Sequence, residues 1–520
     1  MLLATYLQFA LHYVTEFHIS LLISALLATV IYKYRSHAIG AHPRRDLKEP
    51  KGAVPLLGHL LVLASYPGAK MYEFLDKQNK ELGPVWSISL PLFGRMIQGD
   101  EPEIVEHVLK TNFPNYIKGP MLKDMLTDII GVGFFLADGA DWRYLRKLMV
   151  QIFSVKAFHD YTSDTFATMG LKVVDYLGKA ADEGSVVNIY ALMHHYTLDS
   201  FSFIMCGQSF GSLDDIEQKA PLAAAFDKLL AAAGHRLLDP AWKIRELLTG
   251  ERKAILDARA MIQQFFQDII DKRRKEGYHG TKRDLLQLFM EWTDEDEKSL
   301  PGDIMLDSIF QITVAAYDTT AQAISWMFYL MLRDGADKDI IKKLTQEVDD
   351  VLKGHNPTYS THKQQKYAEA CAYSSIISIL LAVRMYPPGA KVMRQCANDD
   401  VLPGGIKIHK GDWFSWSPMV MGKSVAIWGP DAGEYKPSRW MGTEKPSQSK
   451  FLAFNAGPRS CPGQRFAVLE AMTMIGMILQ SFEVELVHPS KTPEYGMSMT
   501  LPMVHGLEVR VSRRAISKEI

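Results

Sequence analysis

The chain has 520 residues, with 58 Lys+Arg against 59 Asp+Glu and a formal net charge of −1. With 22% charged and 47% hydrophobic residues it can bury a large core, which excludes a disordered polymer and a polybasic nucleic-acid binder. The four cysteines, Cys206, Cys371, Cys396 and Cys461, form no CxxC pair, which excludes a disulfide framework and a CxxC-type zinc site.

From Phe17 to Tyr32 no residue is formally charged, and the apolar tendency reaches back toward Met1, broken by Glu16. Lys33, Arg35, Arg44 and Arg45 follow this run and no Lys or Arg precedes it. A cleaved signal peptide needs basic residues ahead of its apolar core, so a single membrane anchor with the downstream chain in the cytosol is the expected reading. The stretch Pro50 to Gly58, rich in Pro and Gly, is expected to be a stiff, turned connector. Residues 1–49 are therefore assigned to the anchor and its basic linker, and residues 50–520 to one large domain.

Within that domain, strand signals fall at Val85–Leu90, Phe482–Val487 and Leu507–Val511, and most of the rest reads helical. The spacing predicts a helix over Ala254–Lys275, stopped by a basic cluster and Gly277, and a long one over Ile304–Arg333. The latter is apolar on nearly every side, as a helix crossing a core must be. Its Asp307, Gln311, Asp318 and Gln322 argue against a membrane span, because buried polar groups need partners or a task. The fold class expected is mainly α with a small β portion.

The sharpest feature is Phe454-Asn-Ala-Gly457-Pro-Arg459-Ser-Cys461-Pro-Gly463, followed by a helix-like segment. A lone cysteine is most often an inert buried thiol. Here, a turned loop and a following helix N-terminus can aim N–H groups at the sulfur, which suits a thiolate metal ligand. Phe454 can shield the sulfur, and Arg459 can pair with an anionic cofactor edge.

This stretch resembles the haem-binding loop of the cytochrome P450 family, Phe-x-x-Gly-x-Arg-x-Cys-x-Gly, at all five fixed positions. Chance recurrence in a chain of this length is roughly one in several thousand. The resemblance implies a single haem domain, haem b with Cys461 as axial iron ligand, and Phe454, Gly457 and Gly463 as parts of the cofactor loop. Trp142 and Arg146 resemble the family's Trp-x-x-x-Arg helix and would meet a haem propionate, as would Arg394 and Arg459. Arg384 and Arg439 match the structural arginines of the helix beneath the haem and of the meander.

Ala315-Ala316-Tyr317-Asp318-Thr319-Thr320 resembles the family's oxygen-handling segment. Small residues at Ala315 and Ala316 would leave room above a flat cofactor, and Asp318 and Thr319 would deliver protons to bound oxygen. A plain helix kink, with Thr319 bonding back to a carbonyl, is the structural alternative. No flavin or iron–sulfur motif is present, so electrons derived from NADPH are expected from a separate NADPH–cytochrome P450 reductase, with cytochrome b5 as a second donor. Arg143, Lys147, Lys156 and Arg465 are candidate docking residues. The implied setting is the endoplasmic reticulum membrane; no nucleic-acid partner is expected.

One departure from the family pattern stands out. The tetrad expected as Glu-x-x-Arg reads Leu381-Ala382-Val383-Arg384. Removing one member of a buried ion pair can cost ~3–5 kcal/mol. Either another acceptor serves Arg384 and Arg439, or haem is held weakly.

The chain looks most like fungal and plant fatty-acid or alkane hydroxylases across the stretches beginning at Ile117 and Ser417. Met121, Ala315, Ala316, Met393 and Thr500 are the expected pocket residues; His235, Arg236 and Lys243 are candidate carboxylate anchors near the pocket mouth, with surface solvation the favoured reading for each. Hydroxylation of a fatty acid or alkane is favoured. Hydroxylation of a steroid or terpenoid, isomerase or dehydratase chemistry that uses no external oxygen, and a non-catalytic haem-binding relative remain as alternatives.

Overall fold

The computed structural model describes the chain except residues 1, 45, 92, 155, 217–220, 240, 278–283, 294–299, 358–377, 441–445, 497 and 515–520, and the side chains of 1–14, 151–152, 154–161 and 238. Arg45, Cys371 and the Lys156 side chain therefore lie outside the described residues.

The first helix, α1 (Leu2–Lys33), runs through the predicted anchor. Its segment Thr15–Lys33 has a mean hydropathy of 1.6 and is nowhere buried among the described residues. Phe17, Leu22 and Leu26 are each more than 60% exposed, which a helix in water would not tolerate over such a length. Lys33 ends it, and the chain turns back onto the body: Ala38 is fully buried and its N–H donates to Ser89 Oγ at 3.1 Å. The connector makes a second close approach at Gly58, where φ is +55° and a Cβ would lie 2.4 Å from the Ser89 carbonyl oxygen.

The main helices after the anchor are α2 (Lys70–Leu82), α3 (Pro120–Ile130), α4 (Gly139–Ser154), α5 (Lys156–Glu183), α6 (Ile189–Cys206), α7 (Pro221–Leu238), α8 (Glu251–Glu276), α9 (Gly302–Leu332) and α10 (Gln464–Ser481). Among the described residues there are ten strands: β1 (Val85–Leu90), β2 (Gly94–Gly99), β3 (Tyr116–Ile117), β4 (Val187–Asn188), β5 (Val392–Cys396), β6 (Asp400–Leu402), β7 (Ile406–Ile408), β8 (Trp413–Trp416), β9 (Phe482–Leu486) and β10 (Glu508–Arg513). They form a five-stranded sheet in the order β1-β2-β8-β5-β3, a three-stranded β4-β10-β9 sheet and a β6-β7 hairpin.

The predicted strand Val85–Leu90 is β1, and the two C-terminal strands pair antiparallel, with Val511 opposite Val484. Helices α8 and α9 match the two predicted ones to within a few residues.

Helix α9 crosses the centre of the core, with Ile309, Ile324, Trp326, Met327 and Phe328 essentially inaccessible. Thr197 on α6 donates to the Tyr317 carbonyl at 2.8 Å and locks these two helices together. Asp307 and Gln311 of α9 have the partners their burial demands. Asp307 meets Arg259 at 2.8 Å and the Val132 N–H at 2.9 Å, while Gln311 accepts from the Phe135 N–H and donates to the Ile130 carbonyl, both at 2.9 Å. Asp307 and Gln311 thus fix the loop after α3 against α9, and this loop forms part of the cavity wall.

Candidate haem and substrate site

A cavity of about 770 Å³ lies between α9, the cysteine loop and the five-stranded sheet. Its apolar wall includes Leu122, Leu126 and Ile130 of α3, spaced four residues apart on one helical face. Ala315, Ala316 and Thr319 of α9, Met393 of β5, and Met499 and Thr500 of the C-terminal loop complete the wall. Met121 does not reach it: one residue before Leu122, it is turned about 100° away around α3 and packs against the core instead.

Cys461 opens onto this cavity. Its own N–H donates to the Phe454 carbonyl at 2.9 Å, closing the loop, and Gly463 precedes the first turn of α10. Burial pushes the thiol pKa up, while the Gly463 N–H and the Arg146 charge pull it down. Gly457 has φ +67°, and a Cβ there would sit 2.1 Å from the Leu109 carbonyl oxygen, so only glycine lets the loop lie against this neighbouring turn.

Beside the cysteine lies a cluster of cations. Arg459 donates to Asp138 Oδ1 at 3.0 Å and to the Ala137 carbonyl, and its guanidinium lies 4.8 Å from the centre of the Trp142 ring. Arg146 reaches Ser460 Oγ at 3.5 Å, and among the described residues Arg394 donates only to its neighbouring Met393 carbonyl at 2.8 Å. Burial, with the Arg459 charge adding to it, lowers the Arg394 pKa to about 9. Lys118, which the sequence reading missed, is 5% exposed, with Nζ 3.7 Å from the Phe135 ring centre. Burial and the neighbouring Arg394 and Arg459 charges depress its pKa strongly.

Trp142, Arg146, Arg394, Arg459 and Lys118 all border the cavity. Among the described residues only Asp138 offers these cations a carboxylate, and it is shared with Lys123 at 3.0 Å. Arg459 Nε is buried without an acceptor. So large a surplus of buried positive charge is costly unless an anion fills the space.

Asp318 and Thr319, adjacent in sequence, point in different directions. Thr319 borders the cavity and its hydroxyl donates to the Ala315 carbonyl at 2.6 Å, the back-bonded geometry of the structural alternative. Asp318 faces α6, with Oδ1 3.1 Å from His194 Nε2, and the same oxygen accepts from Gln322 Nε2, one turn further along α9, at 3.0 Å. Oδ2 is buried without a partner. Successive helical residues diverge by about 100°, so the two cannot share one face.

The missing carboxylate is compensated in part. Leu381 is fully buried against Trp428, Ala432 and Trp440. Arg384 donates to three main-chain carbonyls, of Gly422 at 2.5 Å, Ala432 at 2.7 Å and Glu434 at 2.8 Å. Arg439 pairs with Asp431 and donates to the Trp428 and Asp431 carbonyls, both at 2.7 Å. Nε of each arginine remains buried without an acceptor, so the compensation is incomplete.

The candidate carboxylate anchors do not serve the cavity. Arg236 is fully buried between Glu246 and Asp128, Lys243 pairs with Asp124 at 2.7 Å, and His235 is exposed; none borders the cavity.

An apolar chamber beside a buried cationic cluster, with a thiol opening onto it from a glycine-bounded loop, defines a haem-thiolate protein. The comparisons agree: the cytochrome P450 family model matches residues 48–505, and the chain belongs to that family. It is similar to the cytochrome P450 monooxygenase cyp1 of Mycosarcoma maydis, at 32% identity over 95% of this chain and 80% of that one. It is also similar to cytochrome P450 704C1 of Pinus taeda (33%, 80% and 84%) and cytochrome P450 94B3 of Arabidopsis thaliana (29%, 96% and 98%). The chain is a P450 monooxygenase that uses haem, O2 and NADPH-derived electrons.

Proposed function

We propose that this chain hydroxylates an aliphatic C–H bond, of a fatty acid first and an alkane second, at the cytosolic face of the endoplasmic reticulum membrane. The observation that carries this reading is the cavity itself: largely apolar, bounded by Met, Leu and Phe side chains, and closed at one side by Cys461. α1 anchors the chain, and residues 50–520 form the haem domain, so a lipophilic substrate can enter from the bilayer. The pocket residues are Ala315, Ala316, Met393 and Thr500.

The residues present fit a haem. Cys461 would hold the iron through its sulfur, Phe454, Gly457 and Gly463 would shape the loop beneath it, and Trp142, Arg146, Arg394, Arg459 and Lys118 would meet its propionates. The bound haem supplies the oxygen activation that no side chain here can perform. Ala315 and Ala316 keep space open on the α9 side. Thr319 holds a hydroxyl oxygen at the cavity wall with its proton committed to the Ala315 carbonyl, so that oxygen is left to accept a hydrogen bond. Asp318 holds or passes a proton at its carboxylate, fed through His194, whose ring is partly exposed. Arg384 and Arg439 stiffen the meander. A reductase, with cytochrome b5 as a second donor, would dock on exposed Arg143, Lys147 and Arg465.

The test is NADPH and oxygen consumption by the full chain with added reductase, using fatty acids, alkanes and steroids, with products identified by mass. Hydroxylated fatty acids or alkanes are the expected products. Turnover of steroids alone, or of nothing, contradicts the reading.

A further inference from the structure

Lys391 lies immediately before β5, and its side chain crosses β8 to reach β2. Nζ donates to Gln98 Oε1 at 2.8 Å and lies 3.4 Å from Ser415 Oγ. Ser415 in turn donates to Gln98 Oε1 at 2.7 Å. Gln98 Nε2 lies 2.9 Å from both oxygens of Asp100, which is buried and also held by the Ser417 N–H and Asn79 Nδ2, each at 2.7 Å. The positive charge of Lys391 thus meets only neutral oxygens directly. Its carboxylate lies one residue beyond, behind Gln98.

Lys391 is half-buried, and both it and the buried Gln98 border the cavity. The sheet face around them is otherwise apolar there, with Trp86, Ile88 and Met96 alternating toward the same space. An ammonium has three donors, and two directions are taken by Gln98 and Ser415. It is also separate from the cations beside Cys461. Lys118, Arg394 and Arg459 act on one another and on Asp138, whereas the charge that acts on Lys391 is Asp100. A haem held by the first group leaves Lys391 unused.

We propose that Lys391 is the carboxylate anchor of the substrate site: it binds the head group of a fatty acid whose chain lies along the apolar wall toward Cys461. This rests on the aliphatic-substrate reading above and sharpens it, favouring acids over alkanes of equal length. Gln98 and Asp100 are positioning residues that hold the ammonium in place. A charge-assisted hydrogen bond in a desolvated site separates an acid from its uncharged analogue by roughly 10- to 100-fold in affinity. Burial lowers the Lys391 pKa to about 8, so the charged anchor is full below that pH and lost above it. Asp100 alone opposes this.

The experiment titrates the full-length, haem-loaded protein with dodecanoic acid, dodecanol and dodecane, reading the change in haem absorption and confirming it by calorimetry. In the wild type the acid is expected to bind more tightly than the alcohol, and its affinity to fall as pH rises through about 8 while the others stay constant. Lys391→Met is expected to weaken the acid by about 10- to 100-fold and the alcohol and alkane by less than about 2-fold, with Lys391→Arg retaining acid preference. Equal weakening of acid and alcohol, or a pH-independent acid affinity in the wild type, overturns the anchor while leaving the aliphatic-substrate reading intact. Failure of the wild type to bind any of the three overturns that reading and the anchor with it.

Discussion

Asp431 binds Arg439 twice, its carboxylate pairing with the guanidinium while its main-chain oxygen accepts from the same group at 2.7 Å. The counter-charge that the helix beneath the haem lacks at Leu381 is thus supplied by the meander itself. Lys436, which donates to the same carboxylate at 2.8 Å, and then Arg439 hold the Asp431 pKa down at about 2. A depressed acid stabilises the fold above its unfolded pKa of about 4 and loses that contribution as pH falls toward 2. Asp431→Asn should therefore lower thermal stability and haem content at pH 7, with the difference from wild type shrinking below pH 4. Melting curves across pH check this.

Leu381→Glu should raise both the fraction of protein carrying haem and its melting temperature. Arg384 Nε and Arg439 Nε have no acceptor, and each orphaned donor costs about 1–3 kcal/mol. A carboxylate one helical turn before Arg384 can accept from this group. Leu381→Gln, an acceptor without charge, should gain less. Unchanged haem content and stability in both would show that the main-chain carbonyls and Asp431 already suffice.

Glu470 on α10 is fully buried, and burial pushes its carboxyl pKa well up against the opposing pull of the Thr320 hydroxyl. A raised acid penalises the folded state once the unfolded chain can ionise, so stability from this group is full below about pH 4 and declines as pH rises. Glu470→Gln should stabilise the protein at pH 7 and have little effect at pH 4. Denaturant unfolding at the two pH values reads the difference.

Asp318→Asn should cut the turnover number by about 10²-fold or more, the usual range for losing a positioned acid–base group, with substrate affinity little changed. His194→Gln should lower it less, keeping one hydrogen bond to Asp318 Oδ1 but removing the titratable ring. Oxygen consumed per product formed should rise in both, and the solvent isotope effect with it. A His194→Gln enzyme with wild-type coupling would confine His194 to a structural role.

Much of the fold was legible from periodicity: β1 alternates, α9 is apolar all round, and α1 carries its basic flank. The cysteine loop was legible because its glycines have fixed tasks, as the Gly457 approach to Leu109 shows. Met121 was misread because a run of apolar residues marks a helix and not which of its faces meets a cavity. Lys118, Lys391 and Asp431 were invisible for a different reason. Their meaning comes from partners far away in the chain, Lys391 from Gln98 and Lys118 from Arg394 and Arg459, and a single sequence does not record such distances. Arg236, read as a solvated charge or a candidate at the pocket mouth, is instead buried and held by Asp128, which is 108 residues earlier.

The central claim is that Cys461 supplies the thiolate to the haem iron, and the most direct test is the absorption spectrum of the reduced, CO-bound protein beside that of Cys461→Ala. The wild type should show the red-shifted Soret band of thiolate ligation, and the variant should lose it, either with haem retained or without. The same red-shifted band in Cys461→Ala, or its absence from haem-loaded wild type, would contradict the account.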